Sequence, residues 1–285
     1  MAEWIEIATK IAAYAAVIIA VGISGVRLLL LRVDTVDVDG DARVERGLTR
    51  AAGVAALLLL LGVAIRAVAH TATAFGWADT WSIENLRLIA LESRWGEGWR
   101  LQAAAAAAWT LVVVLARLAP GRSTRAVMGL AALTACAALP QTGHAASEPY
   151  RWVLHALHIA AAGCWAGTLL VLALWIRNAA PDALVPLLRR FSTLAAIAVA
   201  VVGASGAIAA VFYVGEWRNL WNSEYGLVLL TKIGLVGLMG VAGAINWTYL
   251  HRRGEAVAPR TVQIEAVLAI AVIVITGWLT ETAHP

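Results

Sequence analysis

The sequence predicts an all-α polytopic membrane bundle of eight transmembrane helices, and three observations carry that expectation. Of the 285 residues 61% are hydrophobic and 14% are charged, where an ordinary soluble domain carries roughly 25% charged residues. A chain so poor in charge cannot clothe a globule of its own size in polar surface. The apolar residues gather into runs long enough to cross a hydrocarbon layer about 30 Å thick. The basic residues gather in the short connections between those runs, so the net charge of +4 speaks of membrane orientation and not of nucleic acid.

The spans are read at 7–31, 48–75, 101–118, 126–139, 152–176, 191–214, 226–250 and 262–279. Each must be a helix, because in lipid every backbone N–H and C=O needs an internal partner. The first has Glu3 and Glu6 ahead of it where a secretory leader has basic residues, and it is long enough to span, so it reads as a membrane helix and not a cleaved signal. The third contains the alanine run 103–108, and Pro140 closes the short fourth. The expected division is into two membrane halves of four helices, 1–140 and 141–285. Ser93-Arg94-Trp95-Gly96 before span three is echoed by Ser223-Glu224-Tyr225-Gly226 before span seven. That echo suggests a 4+4 repeat in parallel orientation.

Loop charge sets the expected orientation. Arg32, Arg43, Arg46, Arg50, Arg117, Arg122, Arg125, Arg177, Arg189, Arg190, Arg252, Arg253 and Arg260 follow the odd-numbered spans. The other loops hold Arg87, Arg94, Arg100, Arg151 and Arg218, mixed with acidic residues. This bias places both termini outward, into the periplasm for a Gram-negative source. Trp4, Trp77, Trp81, Trp95, Trp99, Trp152, Trp217, Trp221 and Trp278 lie on that outer side. They read either as an interfacial aromatic belt or, in the loops 77–100 and 215–225, as a docking surface for an extracytoplasmic partner.

Five of the six histidines fall on the same side: His70 near the end of span two, His144 in the loop before span five, His155 and His158 one turn apart on span five, and His284 in the tail. Residues spaced i, i+3 share a helix face, and imidazole is a common ligand for copper, zinc and iron. His70, His144, His155, His158 and His284 are therefore the candidate metal ligands, set against the plainer reading of interfacial or interhelical hydrogen-bonding residues. His251, on the other side, reads as interfacial. Arg66 sits one turn before His70, and a guanidinium at that depth needs a partner or a water-filled cavity. Glu265 on span eight is too far toward the opposite end to serve it.

Cys136 and Cys164 lie in apolar runs without a CxxC spacing, which excludes a disulfide framework and a cysteine zinc site. Met1, Met128 and Met239 form no methionine array, so an imidazole site for Cu(II), zinc or haem iron is the better match. No HExxH, GxSxG or phosphate-cradling glycine loop occurs, and the loops are too short for an ATP-hydrolysing domain. Besides a structural docking subunit that uses the outer tryptophan loops and binds neither metal nor pigment, two readings remain open on the residues alone. In one, the histidines hold a metal ion such as Cu(II) or zinc. In the other, a b-type haem is held by His70 and either His155 or His158 with Arg66 near a propionate, making an electron-transfer protein such as a cupric reductase.

Several motifs in the C-terminal half resemble the copper resistance protein D (CopD) family. They are Thr142-Gly143-His144-Ala145, His155-Ala156-Leu157-His158, Gly163-Cys164-Trp165-Ala166-Gly167, Arg190-Phe191-Ser192, Gly203 with Gly206, the stretch from Glu224 to Lys232, Arg260 with Glu265, and the tail from Leu279 to Pro285. The resemblance covers about 145 residues. It implies an eight-span bacterial inner-membrane protein of copper homeostasis that passes copper across the membrane, alongside a small periplasmic copper-binding protein of the CopC type. Carried over by position, it makes His144, His155 and His158 copper ligands, with His70 as a fourth.

Overall fold

The computed structural model describes residues 1–30, 38–119, 121–143, 148–175, 181–253 and 259–285. Arg32, His144 and Arg177 lie outside the described residues. The helices run α1 (Ala2–Leu30), α2 (Val38–Phe75), α3 (Ile83–Arg87), α4 (Arg94–Leu118), α5 (Arg122–Ala138), α6 (Pro149–Ala162), α7 (Thr168–Trp175), α8 (Pro181–Val214), α9 (Asn219–Asn222), α10 (Glu224–Thr248) and α11 (Pro259–Leu279). Among the described residues, eight helical segments are long and apolar enough to cross a membrane. They coincide with the eight expected runs, most of them beginning about a turn or more earlier in less apolar helix. The chain is a multi-pass membrane protein.

One of those segments joins α6 to α7 through a π-helical turn, Gly163–Gly167. Such turns widen a helix locally and leave room for close packing or a site. Here the two glycines face α1. A Cβ on Gly167 would strike the Ile18 carbonyl, and a Cβ on Gly22 would strike the backbone of Gly167. Small residues at a crossing bring two membrane helices into backbone contact, which replaces the hydrophobic drive that lipid cannot supply.

That crossing makes α1 the hub. It packs on α2, α5, α7 and α11, and 61% of its apolar window is buried, against 11% for each of the windows in α8 and α10. Val17, Ile23 and Val26 on α1 meet Trp109, Met128 and Leu172 in the main core. At the end away from the termini, the buried Arg27 donates to Glu45 at 2.7 Å and to the Met128 sulfur at 2.9 Å, tying α1 to α2 and α5. A smaller core, built from Tyr213, Leu220, Tyr225, Leu229 and Leu279, closes the terminal end between α8, α10 and α11.

The echo between the halves has a local structural counterpart. Both α2 and α8 end on a left-handed glycine, Gly76 (φ 83°) and Gly215 (φ 65°), which satisfies the last helical carbonyls in a geometry that favours glycine. A short helical linker follows in each case. Ser93 Oγ then accepts from Gly96 N at 2.9 Å and donates to Ile89 O. Ser223 Oγ accepts from Gly226 N at 3.0 Å and donates to Asn219 O. One serine thus caps the incoming helix and closes the outgoing linker in both halves.

Candidate functional site

The polar side chains at the terminal end form two groups. The first lies on α1, α2, α4 and the tail after α11. Glu6, Lys10 and Tyr14 are one turn apart on α1 and share a face. His70 Nδ1 is 3.0 Å from Glu6 Oε1, and its ring stacks on Trp95 with centroids 4.0 Å apart. Thr73 Oγ1 also donates to Glu6. Lys10 Nζ donates to Thr280 O at 3.0 Å and pairs with Glu281, while Tyr14 reaches the Thr280 side chain.

Arg66, only 5% exposed, finds the partners its depth demands. Its Nη1 is 3.4 Å from Gln102 Oε1, its Nη2 is 3.8 Å from Glu281 Oε1, and its guanidinium lies 5.7 Å from the centre of the Trp95 ring. Gln102 is itself fixed by donating to Leu139 O and Thr142 Oγ1. Glu265 is indeed remote, bonded instead to Asn246.

The second group lies on α6, α8, α10 and the tail. His155 Nε2 is 3.1 Å from the Tyr213 hydroxyl. His284 lies against both Tyr213 and Tyr225, with ring centroids 4.7 Å away in each case. His158 Nδ1 is 2.9 Å from Ser205 Oγ, and Ser205 gives its own hydroxyl proton to the Val201 carbonyl one turn back. With the Ser205 proton on the Val201 carbonyl, the tautomer of His158 that matches carries its proton on Nδ1 and its lone pair on Nε2; the ring also has a backbone hydrogen bond to Val202. His70 is arranged alike, because a carboxylate at Nδ1 makes that nitrogen the donor. A donor bond from one ring nitrogen fixes the tautomer and leaves the other basic, the usual support of a metal-ligating histidine. Lys232 on α10 lies within electrostatic range of both His155 and His158.

The structure thus brings His155, His158 and His284 into one neighbourhood and sets His70 apart with Glu6. Among the described residues, no three His, Cys, Asp or Glu side chains converge closely enough to enclose a metal ion. His251 is exposed and stacked on Trp247, as an interfacial residue would be. The haem b alternative finds no support in this arrangement. A bis-histidine haem needs two imidazoles facing one iron, yet His70 faces Glu6 and Trp95 while His155 and His158 face Tyr213 and Ser205. Arg66, assigned on that reading to a propionate, is engaged with Gln102 and Glu281.

Sequence reasoning did not find Glu6, Lys10, Gln102, Tyr213, Ser205 or Glu281. The one signal available for Glu6 and Lys10 was the presence of two ionisable residues a turn apart in an apolar run. Of the tryptophans, Trp99 and Trp152 are tied into the bundle through Nε1 to the carbonyls of Val63 and Ala137. Trp4 and Trp278 meet edge to face. Trp81, Trp217 and Trp221 remain well exposed.

Comparison with known proteins agrees on one family. The family description "Copper resistance protein D-like, N-terminal domain" matches residues 1–149, and "Copper resistance protein D" matches residues 185–279. The chain is 29% identical over 255 residues to the copper transport protein CutJ of Bacillus subtilis (strain 168), covering 85% of this chain and 46% of that protein. It is therefore similar to about half of CutJ's length. It is 27% identical over 251 residues to copper resistance protein D of Pseudomonas syringae pv. tomato, covering 79% of this chain and 81% of the relative. No solved structure matches.

Proposed function

The chain belongs to the copper resistance protein D family, and on that premise we propose that it binds copper through histidines at the terminal end of the bundle and passes the ion across a bacterial inner membrane. His155, His158 and His284 form the receiving site, with Tyr213 between two of them. His144, four residues before Glu148 and the start of α6, belongs to the same end by its place in the chain. His70 with Glu6 is a second station on the other side of α1. The donor on this reading is a small periplasmic copper-binding protein of the CopC type, and the exposed Trp217 and Trp221 lie in the loop between α8 and α10.

The observation that carries the proposal is the pairing of His158 with Ser205. With its proton on Nδ1 toward Ser205, the His158 ring offers Nε2 as the nitrogen that can take a metal. Copper is the cargo here and not a resident cofactor, so incomplete coordination in the resting protein fits a site that must release what it takes. The test is copper stoichiometry of the purified protein with His155→Ala and His158→Ala together. Loss of the bound equivalent is expected, and unchanged stoichiometry would overturn the assignment.

A further inference from the structure

In the half of the bundle away from the termini, α7, α8, α10 and α11 enclose a cavity of about 390 Å³. That volume lies within the range of small-molecule sites, roughly 300–1,000 Å³. Its walls are apolar and aromatic, with Trp165, Phe191 and Trp247 among them. Gly240 opens directly onto it, since a Cβ there would meet nothing within 4 Å. No histidine among the described residues lines it.

One end of the cavity is different. Glu265 (4% exposed) and Asn246 (9% exposed) both line it. The Asn246 amide donates to Glu265 Oε1, and Gly243 makes room for that carboxylate, with a Cβ position 3.5 Å from Oε1. The Asn246 Oδ1 is buried without a hydrogen-bond partner. A buried acceptor left unpaired costs free energy comparable to a lost hydrogen bond. The site thus holds acceptors in want of donors: an amide oxygen with no partner, which meets the cavity once the Asn246 side chain turns toward it, beside a carboxylate whose companion has already given its N–H.

We infer that this cavity is a binding site for a bilayer-soluble molecule with a phenolic, hydroquinone-type head. The hydroxyls donate to Asn246 Oδ1 and the Glu265 carboxylate, and the ring lies among the indole and phenyl walls. A neutral hydroxyl suits the site better than an ammonium, because a cation must shed far more hydration to enter an apolar chamber. Entry is lateral, along α8 and α10, which bury little of their apolar surface against other helices. The inference is independent of the copper site and assigns no redox step.

The test uses the full chain in detergent with a decyl-tailed benzohydroquinone and its bis-methyl ether, which has the same shape without the donors. The hydroquinone is expected to bind at one site, raising the thermal midpoint, with the ether about tenfold weaker or worse. Asn246→Leu is expected to erase that discrimination. Gly240→Leu, which fills the cavity at a position with room for a side chain, is expected to abolish binding of both while copper stoichiometry stays intact. Equal binding of hydroquinone and ether, no binding of the hydroquinone to the native chain, or binding indifferent to Gly240→Leu each overturns the inference. So does recovery of an ethanolamine phospholipid that neither probe displaces.

Discussion

Around Arg66 charge meets charge, whereas around His158 the partners are hydroxyls. Lys10, Arg66, Glu6 and Glu281 come from three separate elements and compensate one another at the terminal end of α1, α2 and the tail. His155, His158 and His284 are hydrogen-bonded to or packed on Tyr213, Tyr225 and Ser205. The Lys232 cation of α10 lies within electrostatic range of His155 and His158, and among the described residues no carboxylate pairs with those two in the way Glu6 pairs with His70. The contrast teaches what each group is fit for. A buried charge cluster holds its geometry because removing any member strands the others. Imidazoles propped by neutral hydroxyls keep a lone pair and tolerate the loss of one prop. The first arrangement suits a fastening, the second a site that changes occupancy.

The largest expected effect falls on the fastening. Arg66→Leu leaves Glu281 with Lys10 alone and should cost about 3–5 kcal/mol, read as a fall in the unfolding midpoint by tryptophan fluorescence in detergent. The surviving folded fraction should still bind copper. Normal stability combined with lost copper would exchange the roles of the two regions. Next comes Ser205→Ala, which removes the acceptor that fixes the His158 tautomer. Supporting groups of this kind are worth about 10–100-fold in metal affinity, so a copper titration should weaken by that much while unfolding moves by about 1 kcal/mol. A large stability loss without a change in affinity would make His158 structural.

Lys10→Glu and Glu281→Lys probe whether the tail is tied through charge itself. Each alone should destabilise, and the double exchange should recover part of the loss. A coupling of about 0.5–3 kcal/mol is expected from the double-mutant cycle on unfolding, and additive effects would mean the pair is incidental. The smallest effect tests the likeness of the halves. Ser93→Ala and Ser223→Ala each remove one cap and should each cost about 1 kcal/mol. Markedly unequal losses would show that the shared geometry does unequal work.

Much of the architecture was legible in advance because hydropathy reports depth directly, and each expected span corresponds to an apolar helical segment. The i, i+3 spacing of His155 and His158 also placed both rings on one face. What could not be read was convergence over distance. Lys10 and Glu281 lie at opposite ends of the sequence, and nothing local to either announces the other. Tyr213 and Ser205 are ordinary span residues until α8 packs against α6. His70 was expected to join the other imidazoles because it shares their depth, but depth fixes only one coordinate. The packing of α2 on α1 and α4, and of α6 on α5 and α8, fixes the remaining two. The stretch Gly163–Gly167 was visible as a motif, but neither its π-helical turn nor the backbone crossing on α1 was.

The tie between α1 and the residues after α11 has a bearing on biogenesis. Ribosomes deliver Lys10 and Arg66 to the membrane long before Glu281 emerges. Until α11 inserts, Lys10 and Arg66 sit among apolar helices with Glu6 beside them. Early helices held in that state remain poorly settled and open to rearrangement or to quality-control proteases. Arrival of the Glu281 carboxylate then ties α1 to the segment after α11, so this fastening of the early helices waits on α11.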